Sequence, residues 1–177
     1  MRLDPKFFNK FIAIFAIITF VAIIFFTIRH SQSQVRDFKS NIESVQPDTL
    51  SFYSYSTPDS LYLSELKGAP AVIQFWSTWS GRSHTVNLIL EEFKTEYPEM
   101  SVLAAVVRDD EALVREYIAN HSFPFYFIDG THFFHHVSAP GVPSQIFINS
   151  EGQLTNYHIG DNEKAVRLKL NQLLQNE

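Results

Sequence analysis

The sequence predicts an α/β domain behind an N-terminal apolar helix, and two observations carry that prediction. From residue 49 onward, stretches of strand character near 51–55, 71–76, 101–107, 144–149 and 153–159 are separated by stretches of helical character near 82–97, 110–120 and 162–175. Such alternation is what a sheet covered by helices requires. Ahead of it, Phe11 to Ile28 is apolar apart from Thr19 and Thr27. At about 1.5 Å per residue this run approaches the ~30 Å hydrocarbon thickness of a bilayer.

Taken in order, residues 1–10 carry Arg2, Lys6 and Lys10, whereas Arg29 alone follows the apolar run immediately, a bias that predicts a cytoplasmic N-terminus. Phe7 and Phe8 extend the run toward the interface. It ends in Thr27-Ile28-Arg29-His30 with no small-residue cleavage site, so residues 11–28 read as an uncleaved transmembrane signal anchor. Residues 29–48 read as a juxtamembrane linker. Val35, Phe38, Ile42 and Val45 recur there at spacings of three, four and three, which fits either a short helix or an irregular spacer. Pro47-Asp48 marks a boundary, and residues 49–177 form one domain of ordinary size. Within it, Asp109 is placed to cap the helix carrying Leu113, Tyr117 and Ile118. Asp161 is placed to cap the last helix, whose Val166, Leu170, Leu173 and Leu174 share a face.

Charge and cysteine content exclude two function classes. Residues 1–48 hold six Lys/Arg against four Asp/Glu, and residues 49–177 hold eight against fifteen, so the domain is acidic and unsuited to nucleic acid. The chain has no cysteine, and therefore no thiolate to attack a disulfide and no thiol to resolve the product.

That absence matters because of what Phe75-Trp76-Ser77-Thr78-Trp79-Ser80-Gly81-Arg82-Ser83 resembles. The segment is similar to the active-site turn of thioredoxins, with Ser80 and Ser83 where the two cysteines stand. The lead-in Leu61 to Trp76, with Gly68-Ala69-Pro70, and the later Gly141-Val142-Pro143-Ser144-Gln145-Ile146-Phe147-Ile148-Asn149 with Glu151-Gly152 resemble the TlpA/ResA-type thioredoxin-like proteins. The resemblance implies a thioredoxin-like fold, a central mixed sheet flanked by helices, over residues 49–177. It also implies an extra helix and strand in the insertion containing Phe123-Pro124-Phe125-Tyr126-Phe127. Further departures accompany the serines: Gln74 stands where thioredoxins carry a buried aspartate, and Val86 where family members often carry a glutamate. Neither side chain moves protons for a thiol, and both read as ordinary strand and helix residues.

The family resemblance also implies that Val142-Pro143 is a cis peptide facing the first turn of the active-site helix. The backbone of Val142 is then free to pair with an extended segment by strand addition, a contact that needs no cysteine. Trp79, Ser80, Gly81, Arg82, Val142 and Pro143 are the binding residues this suggests. For Ser80 and Ser83 as nucleophiles, His84 is the only neighbouring base, and directly after Ser83 in a helix it points away from Ser80. Ser80 is better suited to cap the helix. His132, His135 and His136 have a metal-ligand spacing, but interleaved with Phe133 and Phe134 they equally fit an edge strand or loop.

The resulting expectation is a single-pass membrane protein with a periplasmic or otherwise extracytoplasmic, redox-inactive domain. It needs no cofactor, meets the membrane through residues 11–28, and binds or scaffolds an extracytoplasmic protein or extended peptide. The alternatives are an oxidoreductase role through a cysteine-bearing partner and a metal-binding protein built on the His132 cluster.

Overall fold

The computed structural model describes residues 5–175 and opens with one long helix, α1 (Pro5–Ser44). Arg2, one of the charges behind the expected cytoplasmic N-terminus, lies outside the described residues, as do the side chains of Lys6 and Phe7. The apolar stretch of α1 buries nothing against the rest of the chain and is long enough to cross a membrane. Its two polar residues are satisfied within the helix: the Thr19 and Thr27 hydroxyls donate to the carbonyls of Phe15 and Ile23 at 2.9 and 2.8 Å. Neither hydroxyl would then need water inside a bilayer.

No break follows the apolar run. The segment read as a linker continues the same helix, and its stripe docks onto the domain, with Phe38 and Ile42 buried in the core. Phe38 meets Tyr157 edge to face at 5.4 Å between ring centroids, and Asn41 Nδ2 donates to Ser138 Oγ at 3.1 Å. Three of the four apolar residues at helical spacing, Phe38, Ile42 and Val45, find a partner surface on the domain, where the outer strand offers one.

A 3-10 turn (Pro47–Thr49) leads to a small antiparallel pair, β1 (Ser51–Phe52) and β2 (Leu61–Tyr62), and a second 3-10 turn (Leu63–Leu66). Then come β3 (Ala71–Trp76), α2 (Gly81–Glu96), β4 (Ser101–Val106), α3 (Glu111–Asn120), β5 (Tyr126–Asp129), α4 (Thr131–His136), β6 (Ser144–Ile148), β7 (Leu154–Ile159) and α5 (Glu163–Gln175). The main sheet has the order β5-β4-β3-β6-β7; β3, β4 and β5 run parallel, and β6 is antiparallel to both its neighbours. Alternation divides its residues between two cores. Ile73, Phe75, Leu103, Ala105, Ile146 and Ile148 pack under α1 and α4, and Val72, Trp76, Val102, Ala104 and Phe147 pack under α2 and α5. At the junction of β5 and α4 a Cβ on Gly130 would lie 2.6 Å from that of Ala105, so only glycine lets the helix approach the sheet here.

Four local expectations are corrected. The first strand does not reach residue 55. It stops at Phe52 because the Ser54 hydroxyl accepts from the N–H groups of Ser56 and Thr57 and turns the chain, leaving a single bridge between Ser54 and Ile128. Asp110, not Asp109, caps α3 by accepting from Ala112 N and Leu113 N, while Asp109 accepts from the backbone and hydroxyl of Thr78. Asn162 rather than Asp161 accepts from Ala165 N at the start of α5, and Asp161 faces Arg82 at 3.5 Å. The His132 segment is neither strand nor loop but the short helix α4.

Candidate functional site

The turn between β3 and α2 is held from both sides. Ser77 Oγ donates to the Val107 carbonyl at 2.6 Å, and Asp109 holds Thr78. Between these anchors Trp79 is left 67% exposed. Ser80 is the N-cap of α2: its Oγ accepts from Ser83 N at 3.2 Å and from the Ser83 hydroxyl at 2.9 Å. Both serines are buried. The Ser83 proton therefore goes to Ser80, not to a base, and His84 is engaged elsewhere, its Nδ1 lying 2.8 Å from the Tyr117 hydroxyl. A hydroxyl nucleophile needs a base within reach, and none of the described residues supplies it here.

Beneath the turn, the fully buried Gln74 donates through Nε2 to the Ser83 carbonyl at 3.1 Å, so an amide ties strand to helix at the thioredoxin aspartate position. Val86 is fully buried in the core between α2 and the sheet. Gln74 pairs in register with Gln145 of β6, which pairs with His158 of β7, forming a polar row across an otherwise apolar face. Among the described residues Gln74 Oε1, both amide atoms of Gln145 and His158 Nε2 have no hydrogen-bond partner. Burial, and then the nearby Lys169, hold the His158 pKa below the usual imidazole value. Gln145 and His158 went unnoticed in the sequence; the signal was there in a glutamine at an inward position of a strand otherwise made of Ile146, Phe147 and Ile148.

Facing this turn is the segment Gly141 to Pro143, where the Val142–Pro143 peptide is cis and Pro143 is buried. The backbone N–H and C=O of Val142 have no partner among the described residues. Trp79 and Val142 line one cleft of ≈ 480 Å³ together with Gly141, Arg108 and His135, and α1 closes it with Gln34 and Asp37. Of the binding residues suggested by sequence, Trp79 and Val142 thus come together. Ser80 is buried behind them, Gly81 opens to solvent, and Arg82 leans away toward Asp161. Arg108, Gln34 and Asp37 were missed. Arg108 adopts a left-handed backbone (φ 50), unusual for a residue with a side chain, and no composition rule signals it.

The three histidines do not converge. His132 and His136 stack on one side of α4 with ring centroids 6.5 Å apart and border a separate cleft with Phe52 and Asp129. His135 faces the groove, where its Nε2 accepts from Arg108 Nε and Nη2 at 3.2 and 3.1 Å. No group of three or more histidine, aspartate or glutamate side chains placed to hold a metal ion occurs among the described residues.

Sheet order, the Ser80–Ser83 turn and the facing proline define a thioredoxin-like protein. Residues 32–174 match the Redoxin family model, and the chain belongs to that family. Among curated proteins none matches it in sequence. Solved structures do match in fold. A putative thiol:disulfide interchange protein DsbE from Chlorobium tepidum is 15% identical with a TM-score of 0.64, over 71% of this chain and 91% of that one. MTB DsbF is 15% identical with a TM-score of 0.62, over 72% and 96%. The pneumococcal exposed lipoprotein thioredoxin Etrx1 from Streptococcus pneumoniae is 20% identical with a TM-score of 0.57, over 70% and 98%. At these identities the likeness establishes the fold.

Proposed function

We propose that this protein is a membrane-anchored, extracytoplasmic binding or scaffolding module of the TlpA/ResA type that performs no thiol–disulfide chemistry of its own. It holds an extended polypeptide segment in the groove between Trp79 and Val142. One observation carries the reading: the hydroxyls at the two cysteine positions bond to each other, while the Val142 backbone across the groove has no partner among the described residues. A main-chain donor and acceptor at a groove edge suit strand addition. The basic residues ahead of the apolar run support a cytoplasmic N-terminus, which puts the domain on the other side.

The test uses the full-length chain. A photocrosslinking amino acid in place of Trp79 is expected to capture a partner in intact membranes, and Val142→Pro, which removes a backbone donor, is expected to lower that capture about tenfold, equivalent to about 1.4 kcal/mol. Capture from a remote face of the domain, with none from the groove, would move the function elsewhere. In detergent, with dithiothreitol or reduced thioredoxin as donor, the protein is expected to show no disulfide reductase, oxidase or isomerase turnover above a boiled control.

A further inference from the structure

We propose that the groove takes a membrane-proximal segment, an extended stretch of polypeptide lying a few residues beyond the end of another protein's transmembrane helix. This rests on the groove reading above and on α1 spanning the membrane, and it adds the class of partner.

No hinge separates the apolar stretch from the domain among the described residues. α1 runs unbroken from its apolar stretch to Ser44, and Phe38, Ile42 and the Asn41–Ser138 hydrogen bond fasten its far end into the domain. A flexible tether would let the domain sample many heights. A helix docked through its own core residues fixes one. The same helix supplies a wall of the groove, through Gln34 and Asp37. These residues lie six and nine positions beyond Ile28, the last of the apolar run. At 1.5 Å per residue they stand ~9 and ~14 Å beyond the hydrocarbon edge, and the headgroup layer occupies roughly the first 5–8 Å of that distance. The groove therefore opens just above the headgroups.

A chain leaving a neighbouring membrane span in extended form covers about 3.3 Å per residue, so three or four residues bring it level with this wall. The lining suits such an occupant better than a lipid tail: Gln34, Asp37, Arg108 and His135 place polar groups among apolar ones such as Trp79 and Phe134, and the groups on Val142 that have no partner among the described residues are main-chain ones suited to a strand. Charge is not what holds the domain there, since residues 49–177 carry fifteen acidic against eight basic side chains and gain nothing from an anionic surface. Height is set by α1 alone.

The experiment reads position rather than mere capture. The photocrosslinking amino acid at position 79 of the full-length chain is activated in intact cells, and the adducts are mapped by mass spectrometry to the partner residue. The expected sites fall within about ten residues of a membrane-span boundary. A second variant carries seven alanines after His30, which lifts the domain by ~10.5 Å and leaves it turned by only ~20°. It keeps Gln34 through Ile42 intact and is expected to melt with the parent. Its adducts are expected to move about three residues farther from the span, or to fall at least tenfold in yield. Adducts far from any span, in yields indifferent to the insertion, would overturn the proposal while leaving the groove reading in place. No adduct from position 79 or 142 at either height would overturn both.

Discussion

Two turns meet above the same end of the sheet, and their polar groups are used in opposite ways. At Ser80–Ser83 the side-chain oxygens close on each other and on the start of α2. At Gly141–Pro143 the side chains offer little, but the Val142 backbone has no partner among the described residues. On the proposed function, the half of the site at the two cysteine positions consists of side-chain atoms, and the half that would hold an extended segment consists of main chain. Replacing sulfur by oxygen removes the first without touching the second. Fold and groove geometry are therefore retained by a chain that has no thiol chemistry to perform.

The largest effect is expected from the wall rather than from either turn. Phe38→Ala removes a fully buried ring from the core beneath α1, and a change of that kind costs about 3–5 kcal/mol. Denaturant unfolding of the full-length protein in detergent measures it. Capture through position 79 should fall too, because Gln34 and Asp37 are set by the same docking. An unchanged midpoint would mean that α1 stands apart from the domain, and the groove would lose its wall.

The second prediction turns one turn back into what it resembles. With the two hydroxyl oxygens only 2.9 Å apart, Ser80→Cys with Ser83→Cys should close a disulfide under mild oxidation. The short loop limits the gain to about 2 kcal/mol. The thiol at the helix start should be acidified by the helix end. Arg82 adds no second acidifying charge there, because it leans toward Asp161. Exchange should nevertheless be slow beside a family member with its carboxylates, because Gln74 and Val86 shuttle no protons. Thiol titration and an insulin-reduction rate decide it, and thiols that stay free in air would deny the likeness of this turn to a thioredoxin active site.

How much of this was legible in the sequence depends on whether a residue's partner is local. The helix start at Ser80, the strand at 71–76 and the groove pair Trp79 and Val142 follow from short-range rules and motif. The Phe38 stripe was visible as periodicity, but its docking was not, because the Tyr157 ring it meets is more than a hundred residues away. Capping was misassigned at Asp109 and Asp161 for a related reason. Where two polar residues adjoin a helix start, as Asp109-Asp110 and Asp161-Asn162 do, the one drawn off by a distant partner, Thr78 or Arg82, leaves the cap to its neighbour. The polar row of Gln74, Gln145 and His158 exists only once β3, β6 and β7 are in register.

That row carries the smallest prediction. Burial lowers the His158 pKa in the folded protein, with Lys169 acting in the same direction. The unfolded chain, with an ordinary imidazole near pH 6.5, then binds a proton that the folded chain refuses. Stability from this group is therefore complete above about pH 6.5 and is lost as the pH falls from there through the depressed folded value. His158→Gln should remove the dependence, so the difference in melting temperature between pH 7.5 and pH 5 should shrink in the variant by up to ~2 °C. Because the side chain is only partly buried, solvent screening keeps the effect small. A variant whose pH profile overlays the parent's would mean that the strand edge at His158 opens to water readily, and the row beneath the closed turn would then be a solvated edge rather than part of the core.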